Sequence, residues 1–105
     1  MSDKKTNMEL DLNKQFTGLD KSPCVGDAFH MGKILGNDLA TSTKGDPVKL
    51  LDWAFRLFNG EPIYVDKSDR EMLKKHVHAS GIMNLGKGQI LSEIYEQCEK
   101  ESPNG

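Results

Sequence analysis

Asp46-Pro47-Val48-Lys49-Leu50-Leu51-Asp52-Trp53-Ala54-Phe55-Arg56-Leu57-Phe58-Asn59-Gly60 is the stretch that decides how the rest of the chain folds. Asp46 suits a helix cap and Pro47 the first helical position, while Asn59-Gly60 suits a left-handed exit, with Pro62 blocking any continuation. Both ends of a helix over 47–58 are therefore set by local side chains. At about 100° per residue, Lys49, Asp52, Arg56 and Asn59 fall in one narrow stripe. Leu50, Leu51, Trp53, Ala54, Phe55, Leu57 and Phe58 cover the remaining circumference. Such a helix is expected to be covered on two or three sides. Burying one Leu or Phe side chain contributes about 1.5–3 kcal/mol before conformational entropy is subtracted, so this segment is expected to supply the largest share of core stability.

A chain of 105 residues holds one hydrophobic core and is too short for two. Its 36% hydrophobic and 29% charged residues place it among ordinary soluble globular proteins. The 14 basic and 16 acidic residues are mixed along the chain and offer no basic face for a polyanion, so nucleic acid is not an expected partner. No apolar run approaches the roughly 18–20 residues needed to cross a bilayer, and Met1-Ser2-Asp3-Lys4-Lys5-Thr6 lacks the apolar stretch of a secretion signal. A cytoplasmic protein without membrane contact is expected. Cys24 and Cys98 lie far apart in sequence, which fits a reducing compartment rather than a disulfide framework.

Outward from the central helix, the chain divides into a flexible tail over 1–7, a single globular domain over 8–98 and a second tail over 99–105. Met8, Leu10 and Leu12 alternate with Glu9, Asp11 and Asn13, the period of a strand with one wet face. Gly18-Leu19-Asp20-Lys21-Ser22-Pro23 is turn chemistry, and Cys24-Val25 offers a short return strand, so a small hairpin is expected over 8–25. A first helix is expected from an Asp27 cap to about Thr41, with Ala28, Met31, Leu35 and Leu39 on its inner face. Ala28, Gly32, Gly36 and Ala40 recur along it every fourth residue. A helical glycine costs about 1 kcal/mol relative to alanine, so the pair either admits the close approach of another helix, with Trp53 and Phe58 packed on the flattened stripe, or merely weakens this one. The short connector Ser42-Thr43-Lys44-Gly45 makes the first two helices antiparallel neighbours.

Beyond Gly60, Ile63-Tyr64-Val65 reads either as a third short strand or as an extended connector. Ser68 and Glu71 have capping-box spacing for a helix that turns Met72, Leu73, His76 and Val77 inward and Arg70, Lys74, Lys75 and His78 outward, ending at Gly81. A last helix presents Leu85, Leu91, Ile94, Tyr95 and Cys98 on one side. The resulting fold class is α+β, mainly helical, with four helices and a small N-terminal antiparallel hairpin.

Signals for chemistry are few. Gly81-Ile82-Met83-Asn84-Leu85-Gly86-Lys87-Gly88 has the spacing of a phosphate-binding loop, but Gly88 stands where a Ser or Thr hydroxyl should hold Mg²⁺, and a helix rather than a strand precedes it. His30, His76, His78, Cys24 and Cys98 include the ligand types for zinc without a metal-site spacing. Cys24 with His30 is the best nucleophile and base pairing on offer, yet it has no third orienting group. The carboxylates, among them Glu71, Glu93, Glu96 and Glu99, are dispersed over solvated faces and form no hydrolytic pair. No catalytic activity and no cofactor are expected. By elimination the chain reads as a binding or assembly component, with Ile82, Met83 and the flank of Trp53 as its candidate contact surface. Lys67, Arg70, Lys74 and Lys75 form the one local basic cluster, which would serve a small DNA-binding regulator.

Four segments carry a resemblance. Leu12…Phe16-Thr17-Gly18-Leu19-Asp20, Gly32-Lys33-Ile34-Leu35…Leu39-Ala40, Lys44-Gly45-Asp46…Lys49…Asp52-Trp53-Ala54…Leu57…Asn59-Gly60-Glu61-Pro62-Ile63 and Asp66-Lys67-Ser68-Asp69…Leu73 resemble the small accessory proteins encoded by bacteriophages and prophages. The resemblance contains no catalytic signature. It implies a viral or mobile-element origin and a protein partner, from the phage or its host.

Overall fold

In the computed structural model, which describes residues 8–26 and 29–99, the central helix forms with the ends its side chains prescribe. Asp46 accepts hydrogen bonds from the N–H groups of Val48 (3.0 Å) and Lys49 (3.3 Å), Pro47 occupies the first turn, and Gly60 leaves at φ 79°. The described chain runs β1 (Met8–Leu10), α1 (Met31–Thr41), α2 (Pro47–Phe58), β2 (Ile63–Val65), α3 (Lys67–Ala79) and α4 (Asn84–Ile94), the last continuing as one π-helical turn, Tyr95–Glu99. The class is α+β and mainly helical. The proposed tails lie outside the described residues at 1–7 and 100–105, as do Asp27 and Ala28; Glu99, assigned above to the second tail, belongs to the helical turn.

The glycines of α1 decide how it meets α2. A Cβ at Gly32 would stand 2.5 Å from the carbonyl oxygen of Leu57, and one at Gly36 would stand 2.9 Å from that of Ala54. The two backbones are therefore in contact, which explains glycines that would otherwise only weaken a helix. It is the backbone of Ala54 and Leu57, rather than the side chains of Trp53 and Phe58, that occupies the flattened stripe. His30 starts α1: its Nδ1 accepts from the N–H of Lys33 at 3.2 Å and its Nε2 donates to Asn13 Oδ1 at 3.0 Å.

The antiparallel partner of β1 is the distant strand β2, with Met8 opposite Val65, Glu9 opposite Tyr64 and Leu10 opposite Ile63. Leu10, Ile63 and Val65 face the core while Glu9 and Tyr64 face water, as the alternation requires. The expected hairpin over 8–25 is reduced to a turn with one bridge, Thr17 to Pro23, closed by the N–H of Gly18 on the carbonyl of Ser22 (2.9 Å). Lys21 sits at φ 70° inside it, a conformation that keeps the turn tight and ends strand geometry.

Among the described residues between β1 and α1 the chain forms isolated bridges rather than an extended ladder, and glutamines of α4 and its π-helical turn pair part of its backbone. Gln89 accepts from the N–H of Thr17 (2.8 Å) and donates to its carbonyl (2.7 Å), while Gln97 does the same for Asp11 at 2.7 and 2.9 Å. Each side-chain amide thus stands in for one residue of a neighbouring strand. Replacing Gln89 by leucine keeps the volume but strands two half-buried backbone groups of Thr17, and is expected to cost about 2 kcal/mol in urea denaturation. Gln97→Leu should cost less, since water reaches the exposed Asp11.

The capping box of α3 is formed by Asp66 and Asp69 rather than by Ser68 and Glu71. Asp69 accepts from the N–H of Asp66 (3.2 Å), donates its own N–H to Asp66 Oδ1 (2.7 Å) and receives Lys49 Nζ of α2 at 2.7 Å. Asp66 wins because that triple use of Asp69 joins the helix start to α2; the Lys49 ammonium is held above its ordinary pKa mainly by this bond. Ser80, not Gly81, closes the helix. Leu73 and Val77 are buried as expected, His76 Nε2 meets Asp38 Oδ2 of α1 at 2.6 Å, and His78 faces solvent. On α4 and its final turn the buried row is Gly86, Ile90, Ile94 and Cys98, with Tyr95 turned outward. The rotation follows from Gly86, whose missing side chain admits the Phe16 ring: a Cβ there would lie 3.0 Å from its Cζ.

Candidate functional site

The central helix has three faces rather than two. Leu50, Trp53, Ala54 and Leu57 share an arc of about 100° and are buried; Lys49, Asp52 and Arg56 share a polar arc. Between them an apolar arc of about 80° points to solvent. It carries Val48, Leu51, Phe55 and Phe58, which are 78%, 47%, 61% and 47% exposed. The expectation that α2 is enclosed on most of its circumference is therefore corrected. The glycine crossing draws α1 tight against one side of α2, and a single close neighbour does not cover so wide an apolar arc.

The stripe is held rigidly. Its helix is capped at both ends, and its buried side is locked against α1 and the core. Lys33 Nζ lies 4.3 Å over the Phe58 ring and donates to the Phe58 carbonyl, so one face of that ring is covered by a cation and the aliphatic stem beneath it. Arg56 Nε is 3.1 Å from Asp52 Oδ2 along the polar edge. Beside the N-terminal end of the stripe, an open groove of about 320 Å³ is lined by Leu39, Ala40, Pro47 and Leu51 among others.

The residues singled out from sequence fall in three separate places. Trp53 is only 5% exposed and belongs to the core, so it offers no contact surface; it lies on the inner arc with Leu50 and Leu57, and Lys49 Nζ stands 5.7 Å from its ring. Ile82 is half-buried, its Cγ2 close to the Gly86 backbone, while Met83 is exposed. Both line a groove of about 460 Å³ with Phe16, Ile34, Asp38 and Thr41. On α3, Lys67 and Lys75 face solvent, but the side chains of Arg70 and Lys74 are largely buried, 13% and 29% exposed. Arg70 Nη1 donates to the carbonyl of Val65 at 3.2 Å, and Lys74 Nζ reaches Glu99 at 2.8 Å and Glu71 at 3.3 Å. The Glu99 carboxylate raises the pKa of Lys74 and neutralises the centre of the basic cluster.

The chemical decoys have structural uses. Gly86 makes room for Phe16, and Lys87 Nζ donates to the carbonyl of His78, so the glycine-lysine string serves packing and the end of α3. Both nitrogens of His30 are engaged by Lys33 and Asn13, away from Cys24, whose own N–H donates to the Phe16 carbonyl. Cys98 is buried, and desolvation pushes its thiol pKa up. Among the described residues no three His, Cys, Asp or Glu side chains converge as metal ligands, and no helix is long and apolar enough to cross a membrane.

Sequence reasoning missed Val48, Leu51, Phe55 and Phe58 as surface. The signal was present in their spacing of three, four and three residues, a second apolar row offset from the row containing Trp53. Compared with protein-family models, curated proteins and solved structures, the chain matches none.

Proposed function

We propose that this chain is a non-enzymatic accessory protein of a phage or mobile element that acts by binding another protein, in virion assembly or by blocking a host defence factor. The observation that carries the binding reading is the exposed row Val48, Leu51, Phe55 and Phe58. Aromatic side chains are enriched at interface cores, and a contiguous apolar row on a rigid helix loses little entropy on association. Phe55 and Phe58 are its anchors. The origin rests on the resemblance of the four segments quoted above. The DNA-binding alternative loses weight because Glu71 and Glu99 already occupy Lys74.

The test is comparative affinity capture from the bacterial host. A partner recovered in stoichiometric yield with the wild type should drop at least about tenfold with Phe55→Asp, since a desolvated carboxylate in an apolar contact costs well over about 1.4 kcal/mol. Lys75→Asp, on α3, should leave the yield unchanged. Identical recovery with both variants removes the stripe as the contact surface.

A further inference from the structure

We propose that the stripe on α2 is also the seam of an antiparallel homodimer. The inference rests on the reading that this stripe is a protein contact, and names a second copy of the chain as an occupant. Its first support is the spacing. Val48, Leu51, Phe55 and Phe58 are separated by three, four and three residues, a pattern that reads the same from either end. Under a two-fold axis at the middle of the row, Val48 opposes Phe58 of the second copy and Leu51 opposes Phe55 of the second copy, so each large ring meets an aliphatic side chain. The same spacing is the a/d seam of a heptad, whose antiparallel form stacks a on d.

Charge and shape agree with that arrangement. Asp52 and Arg56 border the row one turn apart and are exposed, paired with each other, and Arg56 also reaches the exposed Glu61. Reversing one helix against the other brings Arg56 of the second copy towards Asp52, and Asp52 of the second copy towards Arg56. Acid thus meets base on that edge of the seam. At its N-terminal end, the stripe is flanked through Leu51 by the groove that Leu39, Ala40 and Pro47 also line, on the side of the seam away from Asp52 and Arg56. Lys33 covers one face of the Phe58 ring, which stays 47% exposed.

A row of about ten helical residues spans only about 15 Å, so the contact is small and the dimer exchanges with monomer. Sedimentation equilibrium between about 1 μM and about 1 mM tests this. The mass average should climb from 11.7 kDa towards twice that value. Phe55→Asp should shift the midpoint at least about tenfold upward while its circular dichroism stays that of the wild type. Asp52→Arg should weaken association about fivefold, and adding Arg56→Asp should restore it. A wild type that remains monomeric throughout overturns the dimer, as does a dimer indifferent to Phe55→Asp. If the monomeric protein still captures a foreign partner in a Phe55-dependent way, the binding reading stands and the dimer alone falls. If dimers form but foreign capture ignores Phe55, the dimer stands and the foreign-partner reading at this surface falls.

Discussion

Replacing Gly32 by alanine is expected to destabilise the protein by about 3 kcal/mol, although alanine is the better helix former. The new methyl carbon would start 2.5 Å from the Leu57 carbonyl oxygen and 3.1 Å from that of Leu12. Both obstacles are backbone, so relief requires α1 to lift from α2. Gly36→Ala meets the Ala54 carbonyl at 2.9 Å and should cost about 2 kcal/mol by the same mechanism. Gly88 supplies the contrast. It lies in α4 with nothing within 4 Å of the place a methyl carbon would take, so Gly88→Ala should stabilise by up to about 1 kcal/mol. Urea midpoints of the three variants decide the matter by sign: a stabilised Gly32→Ala would mean that the helices do not touch.

Phe16→Ala should cost still more, about 3–5 kcal/mol out of the roughly 5–15 kcal/mol that a domain of this kind commands. The ring is fully buried, rests on the bare backbone of Gly86 and walls the groove that Ile34, Ile82 and Met83 also line. The surrounding backbone is pinned, with the Phe16 N–H on the carbonyl of Phe29 and its carbonyl receiving the N–H of Cys24, both at 2.8 Å, so the cavity cannot collapse easily. A thermal scan should show Tm lower by about 15–25 °C. Phe16→Leu, which refills most of the space, should lose far less. A loss below about 1 kcal/mol for Phe16→Ala would contradict the packing of this segment.

What was legible in the sequence was mostly local. Asp46, Pro47, Asn59 and Gly60 act within one turn of where they stand, so the limits of α2 could be read from them directly. The alternation of Met8, Leu10 and Leu12 told which side chains face inward, but a period of two carries no information about the partner, and β2 lay more than fifty residues away. Ser68 and Glu71 carried the capping-box spacing at the start of α3, yet Asp66 with Asp69 forms the cap, because the tertiary bond from Lys49 to Asp69 lies outside any local pattern. The candidate site failed to show for a similar reason. Residue pattern measures how much of a helix is apolar, whereas exposure depends on how many neighbours arrive, and the glycines of α1 bring one neighbour very close on a single side. Trp53 went into the core, while Phe55, two positions on, was left facing out.

Cys98 Sγ donates to the carbonyl of Glu9 across a separation of 89 residues, and Gln97 holds Asp11 beside it. On a ribosome adding about 5–20 residues per second, β1 leaves the exit tunnel roughly 5–20 s before the turn that covers it. During synthesis the first strand therefore waits without this cover until the last turn is free to fold over it.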